Sequence, residues 1–308
     1  VAEAVHRGRS PNTLIMLQPG SPYACIGFHQ DLEREIDVGF CREAGLPIIR
    51  RSQGGGATYL DHDQVFYQII SKDSEVVPRR VEALFERLLS VTVETYRRLG
   101  VDAEFKPLND VVVGGRKISG NGAGMHESAS ILVGNVILDL NYGLMARVLR
   151  VPDEKFRDKM AKSMREWVTS LRRELGYKPS PDEVKTTYAT CCEEILGLEL
   201  VQLRPSEDEC KIFREEVKPR HQSPEWLYME APPASRRKGR AVKIASDIKV
   251  IEVDHKARKL MRVRAEVRGD RIQSIRVFGD FFAVPEESIF RLEEMLCGVK
   301  LDEGSIHD

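Results

Sequence analysis

The stretch Arg50-Arg51-Ser52-Gln53-Gly54-Gly55-Gly56-Ala57-Thr58-Tyr59 limits the fold more than any other part of the chain. Three adjacent glycines would weaken a helix or strand, because glycine loses the most backbone freedom on folding. They must therefore lie in a link, and the apolar Leu46-Pro47-Ile48-Ile49 ahead of them reads as a short strand delivering the chain into it. Glycines in such a place mark a sharp bend or the close approach of another group. Bare N–H groups suit a phosphate or carboxylate, and a flanking arginine adds a bidentate contact. Arg50, Arg51, Gly54, Gly55, Gly56 and Ala57 are thus candidates for an anion site, with a purely structural turn as the alternative. The pattern is neither a Walker loop nor a G-x-G-x-x-G fingerprint.

Around this loop the chain reads as an alternation of strands and helices. Leu14–Leu17, Cys25–Phe28 and Gln64–Ile70 have strand character, and Leu32–Ala44 has helical character ended by Gly45 and Pro47. The spacing of Val81, Leu84, Leu88, Leu89, Val91, Val93 and Tyr96 predicts an amphipathic helix to Leu99, closed by Gly100. Residues 111–120 read as a hairpin turning at Gly114-Gly115, and Ala129–Leu140 as a buried strand. Residues 144–174 read as helix, loop and helix, followed by helices at Pro181–Leu196 and Glu207–Lys218. The Pro- and Arg-rich 231–240 reads as a linker. Three strands (Val242–Val253, Lys259–Val267, Arg271–Phe278) and a helix at Glu286–Leu296 follow. The expected class is α+β (mixed α/β): a large mixed-sheet domain flanked by helices, residues 1–235, and a small C-terminal α+β domain, residues 236–308.

Charge excludes some partners. With 47 basic against 48 acidic residues, the formal charge is −1, so no global field favours a nucleic acid or a membrane. The four basic residues in 236–240 are expected to be solvated. The six cysteines (25, 41, 191, 192, 210, 297) form no C-x-x-C pair, which points to a reducing cytoplasm. No run approaches the roughly 18 apolar residues of a membrane span, and the N-terminus lacks a signal-peptide profile.

A second stretch carries chemistry: Asn109-Asp110-Val111-Val112-Val113-Gly114-Gly115-Arg116-Lys117-Ile118-Ser119-Gly120-Asn121-Gly122. Lys117 sits among apolar and small residues, where an ammonium is costly unless it meets a carboxylate or phosphate. Taken alone, a solvated hairpin lysine is the plainer reading.

In this order the two stretches resemble the lipoate-protein ligase family of the biotin/lipoate ligase superfamily. The first corresponds to Arg50, Arg51, Gly54, Gly55, Gly56 and Asp61, and the second to Asn109, Asp110, Lys117, Ile118, Ser119, Gly120 and Asn121. Similarity extends to residues 129–139, to Ser223–Tyr228 with its Trp226, and to Ile272–Gly298 with Gly279-Asp280-Phe281-Phe282. The chain departs from the family at Leu60 and Val133, where histidines are usual, and at Gly122, where alanine is usual.

The resemblance implies an ATP-dependent ligase that activates lipoate to lipoyl-AMP and passes the lipoyl group to a lysine of an acceptor. That acceptor would be a dehydrogenase E2 lipoyl domain, a glycine-cleavage H protein or a specialised lipoate-binding protein. Lys117 would be the catalytic cation, and Arg51 and Arg50 would hold phosphate or carboxylate oxygens. Asp61, Ser119, Gly120, Asn121 and Gly122 would line the adenylate site, and Gln64 the acyl end. Asn109 and Asp110 would orient the adenine side or a magnesium ion. The C-terminal domain would accompany activation. Two alternatives stand beside this one: an octanoyl or lipoyl transferase working without ATP, and a non-catalytic binder of lipoyl domains.

Overall fold

The strands assemble into three sheets in the computed structural model, which describes residues 1–150, 154–229, 242–243, 248–256 and 259–307. The expected linker 231–240 and the boundary between residues 235 and 236 lie outside the described residues. In chain order the strands are β1 (Thr13–Leu17), β2 (Tyr23–Ile26), β3 (Ile48–Arg50), β4 (Thr58–Leu60), β5 (Gln64–Ser71), β6 (Glu104–Lys106) and β7 (Asp110–Val113). They continue with β8 (Arg116–His126), β9 (Ala129–Ile137), β10 (Val242–Lys243), β11 (Ile248–Lys256), β12 (Leu260–Arg268) and β13 (Arg271–Gly279).

The largest sheet runs β1-β5-β9-β8-β7-β6, each neighbouring pair antiparallel. A three-stranded sheet, β3-β2-β4, carries the glycine link between β3 and β4; β2 pairs parallel with β3 and antiparallel with β4. The C-terminal sheet β10-β11-β12-β13 is antiparallel and is followed by the helix Ser288–Leu296.

The helix Val81–Arg98 buries Leu84, Phe85, Leu88, Leu89, Val91 and Tyr96 in a core shared with Tyr67, Leu132 and Val136 of the large sheet. Pro181–Leu196, capped by Ser180 and ended by left-handed Gly197, adds Val184, Tyr188, Cys191 and Cys192 to the same core. Between β7 and β8, Gly114 and Gly115 have φ of 52° and 77°, the paired positive values that a tight hairpin turn requires.

Several expected elements differ in detail. Leu32–Ala44 is two short helices, Leu32–Glu35 and Val38–Glu43. Ile36 is extended and bridges to Leu149, and the side chain of Asp37 caps the second helix by accepting from Phe40 N. Residues 207–218 begin as the helix Glu207–Ile212, widen to a π-helical turn at Phe213–Val217 and end as Lys218–Gln222. The widening lies just ahead of Pro219, which has no N–H to donate.

Candidate functional site

The two arginines ahead of the glycines are loop fasteners. Arg50 is 1% exposed, and its guanidinium donates to the carbonyls of Gly27 (3.0 Å), Phe28 (2.7 Å), Gln30 (2.8 Å) and Leu227 (2.8 and 3.0 Å). Burial lowers its pKa to about 10, so it stays charged at neutral pH. Trp226 returns the contact by donating Nε1–H to Arg50 O at 3.0 Å. Arg51 folds back on the loop, donating to Gly54 O (2.8 Å) and Gly56 O (2.9 Å), with Nη1 3.6 Å from Cys25 Sγ.

The glycines themselves receive the C-terminal region. Gly55 N donates to Phe281 O at 3.2 Å. A β-carbon added at Gly54 would stand 2.4 Å from that oxygen and 3.1 Å from Phe282 Cα. Gly55 has φ of 95°, and a β-carbon there would lie 3.2 Å from the Phe282 ring. Strand β8 supplies the facing wall. Its Gly120, Gly122 and Gly124 alternate onto one face, where β-carbons would meet Lys117 Cε (3.7 Å), the Phe282 ring (3.4 Å) and Glu286 Oε1 (1.9 Å). The link and the strand are therefore side-chain-free where they face each other across Phe282.

Lys117 lies beside this glycine-bearing face, its Cε 3.7 Å from a β-carbon at Gly120. Its Nζ lies 2.6 Å from Asp110 Oδ1 across the hairpin, and its backbone oxygen accepts from Thr169 N at 2.8 Å. The opposite face of β8 is fixed by buried amides. Asn109 Nδ2 donates to Asn121 O (2.6 Å) and Asn121 Nδ2 donates to Asn109 O (3.1 Å). Asn121 Oδ1 also accepts from the hydroxyl of Tyr67. Gly134 makes this meeting possible, since a β-carbon there would fall 2.2 Å from Asn121 Oδ1 and 2.3 Å from the Tyr67 oxygen.

The remaining expected residues divide into supports and neighbours. Ser119 donates to Asn135 O at 2.7 Å, Gly120 N donates to Asn135 Oδ1 at 2.8 Å, and Asn135 Nδ2 donates to Gln64 Oε1 at 2.7 Å. Gln64 is thus joined to the lysine strand through Asn135. Asp61 is buried beyond β4 and accepts from Asp63 N at 2.9 Å. Leu60 is buried in β4, and Val133 Cγ2 would lie 3.5 Å from a β-carbon at Gly122. Ala57 packs against the core around Ile26 and Tyr59.

The sequence reading did not find Lys259, His29 and Glu286. Lys259 Nζ is 3.4 Å from Asn109 Oδ1 and 5.4 Å from the Phe282 ring centroid. His29 stacks on Phe281 at 4.9 Å, and its carbonyl accepts from Gly279 N at 2.9 Å. Burial and the nearby Arg50 and Arg276 push its pKa down to about 4. Glu286, 4% exposed, accepts from Met125 N at 3.3 Å, and burial raises its carboxyl to about 7. Glycines with no local reason to be there were the only sequence sign of this docking.

Asp110 is the carboxylate able to meet a metal ion here. Among the described residues no group of three His, Cys, Asp or Glu side chains forms an all-protein cage. One carboxylate beside phosphate oxygens is the arrangement that suits magnesium. No described helix is long and apolar enough to cross a membrane.

The family described as Lipoyl protein ligase A/B catalytic domain matches residues 1–193. The chain is 25% identical over 295 residues to lipoate-protein ligase LplJ of Bacillus subtilis, covering 96% of this chain and 83% of the relative. It is 22% identical over 244 residues to octanoyltransferase LipM of Geobacillus kaustophilus, covering 72% and 88%. Among solved structures, a bipartite lipoate protein ligase from Thermoplasma acidophilum, described with its E2 lipoyl domain, superposes with a TM-score of 0.66 at 27% identity, covering 74% of this chain and 89% of that one. A lipoate-protein ligase A bound with ATP shares the fold at a TM-score of 0.64 and 23% identity, covering 74% and 91%. The chain belongs to the lipoyl protein ligase A/B catalytic-domain family and is an enzyme of the lipoate-protein ligase kind.

Proposed function

We propose that this enzyme activates lipoate with ATP and transfers the lipoyl group to a lysine of an acceptor lipoyl domain. The observation that carries this reading is Lys117 beside the bare face of Gly120, on the strand whose Gly122 faces Gly54 across Phe282. In activation a lipoate carboxylate oxygen attacks the α-phosphorus, the bond to the bridging oxygen breaks, and pyrophosphate leaves. In transfer the acceptor amine attacks the acyl carbon, AMP leaves, and the amine gives up a proton. Negative charge grows on oxygen in both steps. A fixed ammonium and backbone N–H groups stabilise it without reorganising, and removing one such donor raises the barrier by about 2.7–4 kcal/mol.

Lys117, tethered to Asp110, would be drawn to the acyl and α-phosphate oxygens. Arg50 and Arg51 would serve by holding the loop's shape, since their donors are engaged by carbonyls. A magnesium ion carried with the nucleotide would neutralise phosphate charge, with Asp110 as its protein ligand. Residues 236–308 form the accessory domain in this reading. Their removal is expected to impair activation more than transfer from supplied lipoyl-AMP.

The test is lipoate-dependent exchange of pyrophosphate into ATP, followed by mass spectrometry of a lipoyl domain. Exchange that disappears in Lys117→Ala supports the ligase. Acyl transfer from octanoyl-carrier protein without ATP would instead support the transferase reading, which the likeness to LipM favours.

A further inference from the structure

Two consecutive residues at the start of β7, Asn109 and Asp110, each meet an ammonium group. Asp110 meets Lys117 of its own hairpin at 2.6 Å, and Asn109 meets Lys259 of the C-terminal region at 3.4 Å. The two lysines differ in what faces them. Lys117 has a carboxylate; Lys259 is held by an amide oxygen and by the face of Phe282, both neutral, and no ion pair among the described residues includes it. A half-buried ammonium gives up part of its hydration, and a ring face returns only about 0.5–2 kcal/mol. Its charge has no carboxylate partner among the described residues, beside Asn109 and Phe282.

The position is built in. Leu260 follows Lys259 and exchanges hydrogen bonds with Asp280, whose N–H donates to Leu260 O at 3.1 Å. Lys259 and Phe282 are thereby fastened to one piece of the C-terminal region. On the other side, Asn109 is pinned through its Nδ2 to Asn121 O.

We propose that Lys259 is the second cation of the site, binding the phosphate oxygens of the nucleoside triphosphate that depart as pyrophosphate. The assignment rests on the ATP-dependent reading above. During activation charge accumulates on the bridging oxygen as its bond to the α-phosphorus breaks, and a second ammonium stabilises that leaving group. The transfer step contains no pyrophosphate. Lys117, carried on the sheet, serves both steps, whereas Lys259, carried on the C-terminal region, serves only the first.

The experiment compares Lys259→Gln and Lys259→Arg with the wild type in the full chain. Two rates are measured: lipoate-dependent ATP/pyrophosphate exchange, and transfer from synthetic lipoyl-AMP to a lipoyl domain. Lys259→Gln is expected to lower exchange by at least about 30-fold, while transfer stays within about twofold and Lys259→Arg recovers most of the exchange. Equal losses in both rates would reveal a structural role and overturn the assignment, as would exchange in Lys259→Gln within about threefold of the wild type. A wild-type protein with no exchange would overturn the ATP reading itself, and the Lys259 assignment with it.

Discussion

Lys117 Nζ lies 2.6 Å from Asp110 Oδ1, so this ammonium is tethered by its own hairpin partner. The tether holds the ammonium in place while leaving its other N–H groups free to turn toward a ligand. Lys117→Met should lower lipoylation of an acceptor domain by about 10²–10³-fold, the cost of one lost charge-stabilising donor, with the circular dichroism spectrum unchanged. Mass spectrometry of the acceptor measures the loss.

Arg50 leads to the opposite expectation. It fills a buried position and satisfies carbonyls from two separate segments, Gly27–Gln30 and Leu227. Arg50→Met should destabilise the protein by about 3 kcal/mol or more, because hydrogen bonds from a charged donor contribute about 1.5–3 kcal/mol each and their acceptors would be stranded. Urea unfolding would reveal this, and the activity of the molecules still folded should fall far less than in Lys117→Met.

Gly54→Ala tests the contact with the C-terminal region. The added methyl would overlap Phe281 O, a backbone atom that cannot rotate away. Overpacking of this kind costs about 1–3 kcal/mol. The variant should show faster hydrogen exchange at Gly55 N–H, which donates to Phe281 O, while amides in the helix Val81–Arg98 stay protected.

The same contact should respond to pH. Burial raises the Glu286 carboxyl from 4.5 to about 7, so its protonated form is favoured when docked. The stabilisation is complete below about pH 4.5, declines above it and is lost as pH rises through about 7. Protection of Met125 N–H should therefore fall between about pH 6 and 8 when corrected for intrinsic exchange, taking that range as roughly one unit around the shifted value. Glu286→Gln should remove this dependence. His29 acts in the reverse direction, since its neutral form is favoured and its contribution is lost as pH falls from 6.5 through about 4.

Features set by near neighbours could be read from the sequence. The turn at Gly114-Gly115, the helix Val81–Arg98 and the strand β9 each follow from residues within one element, and Lys117 was found because its motif is contiguous. Other features depended on distant partners. Arg50 looks like an anion binder beside three glycines, but its acceptor Leu227 O lies 177 positions away. Asp37 interrupts a helical pattern because it caps a new helix more favourably than it continues the old one. Lys259 stands at a strand edge with nothing nearby to mark it; only the fold brings it to Asn109.

The bare backbone at Gly54 carries a consequence for engineering. A larger residue there, introduced to change how the loop meets a ligand, would first meet Phe281 and Phe282. Ligand fit and packing of the C-terminal region are therefore not independent traits at this position. A library randomised at residue 54 would sort its members by how well they still pack the C-terminal region before it sorted them by activity.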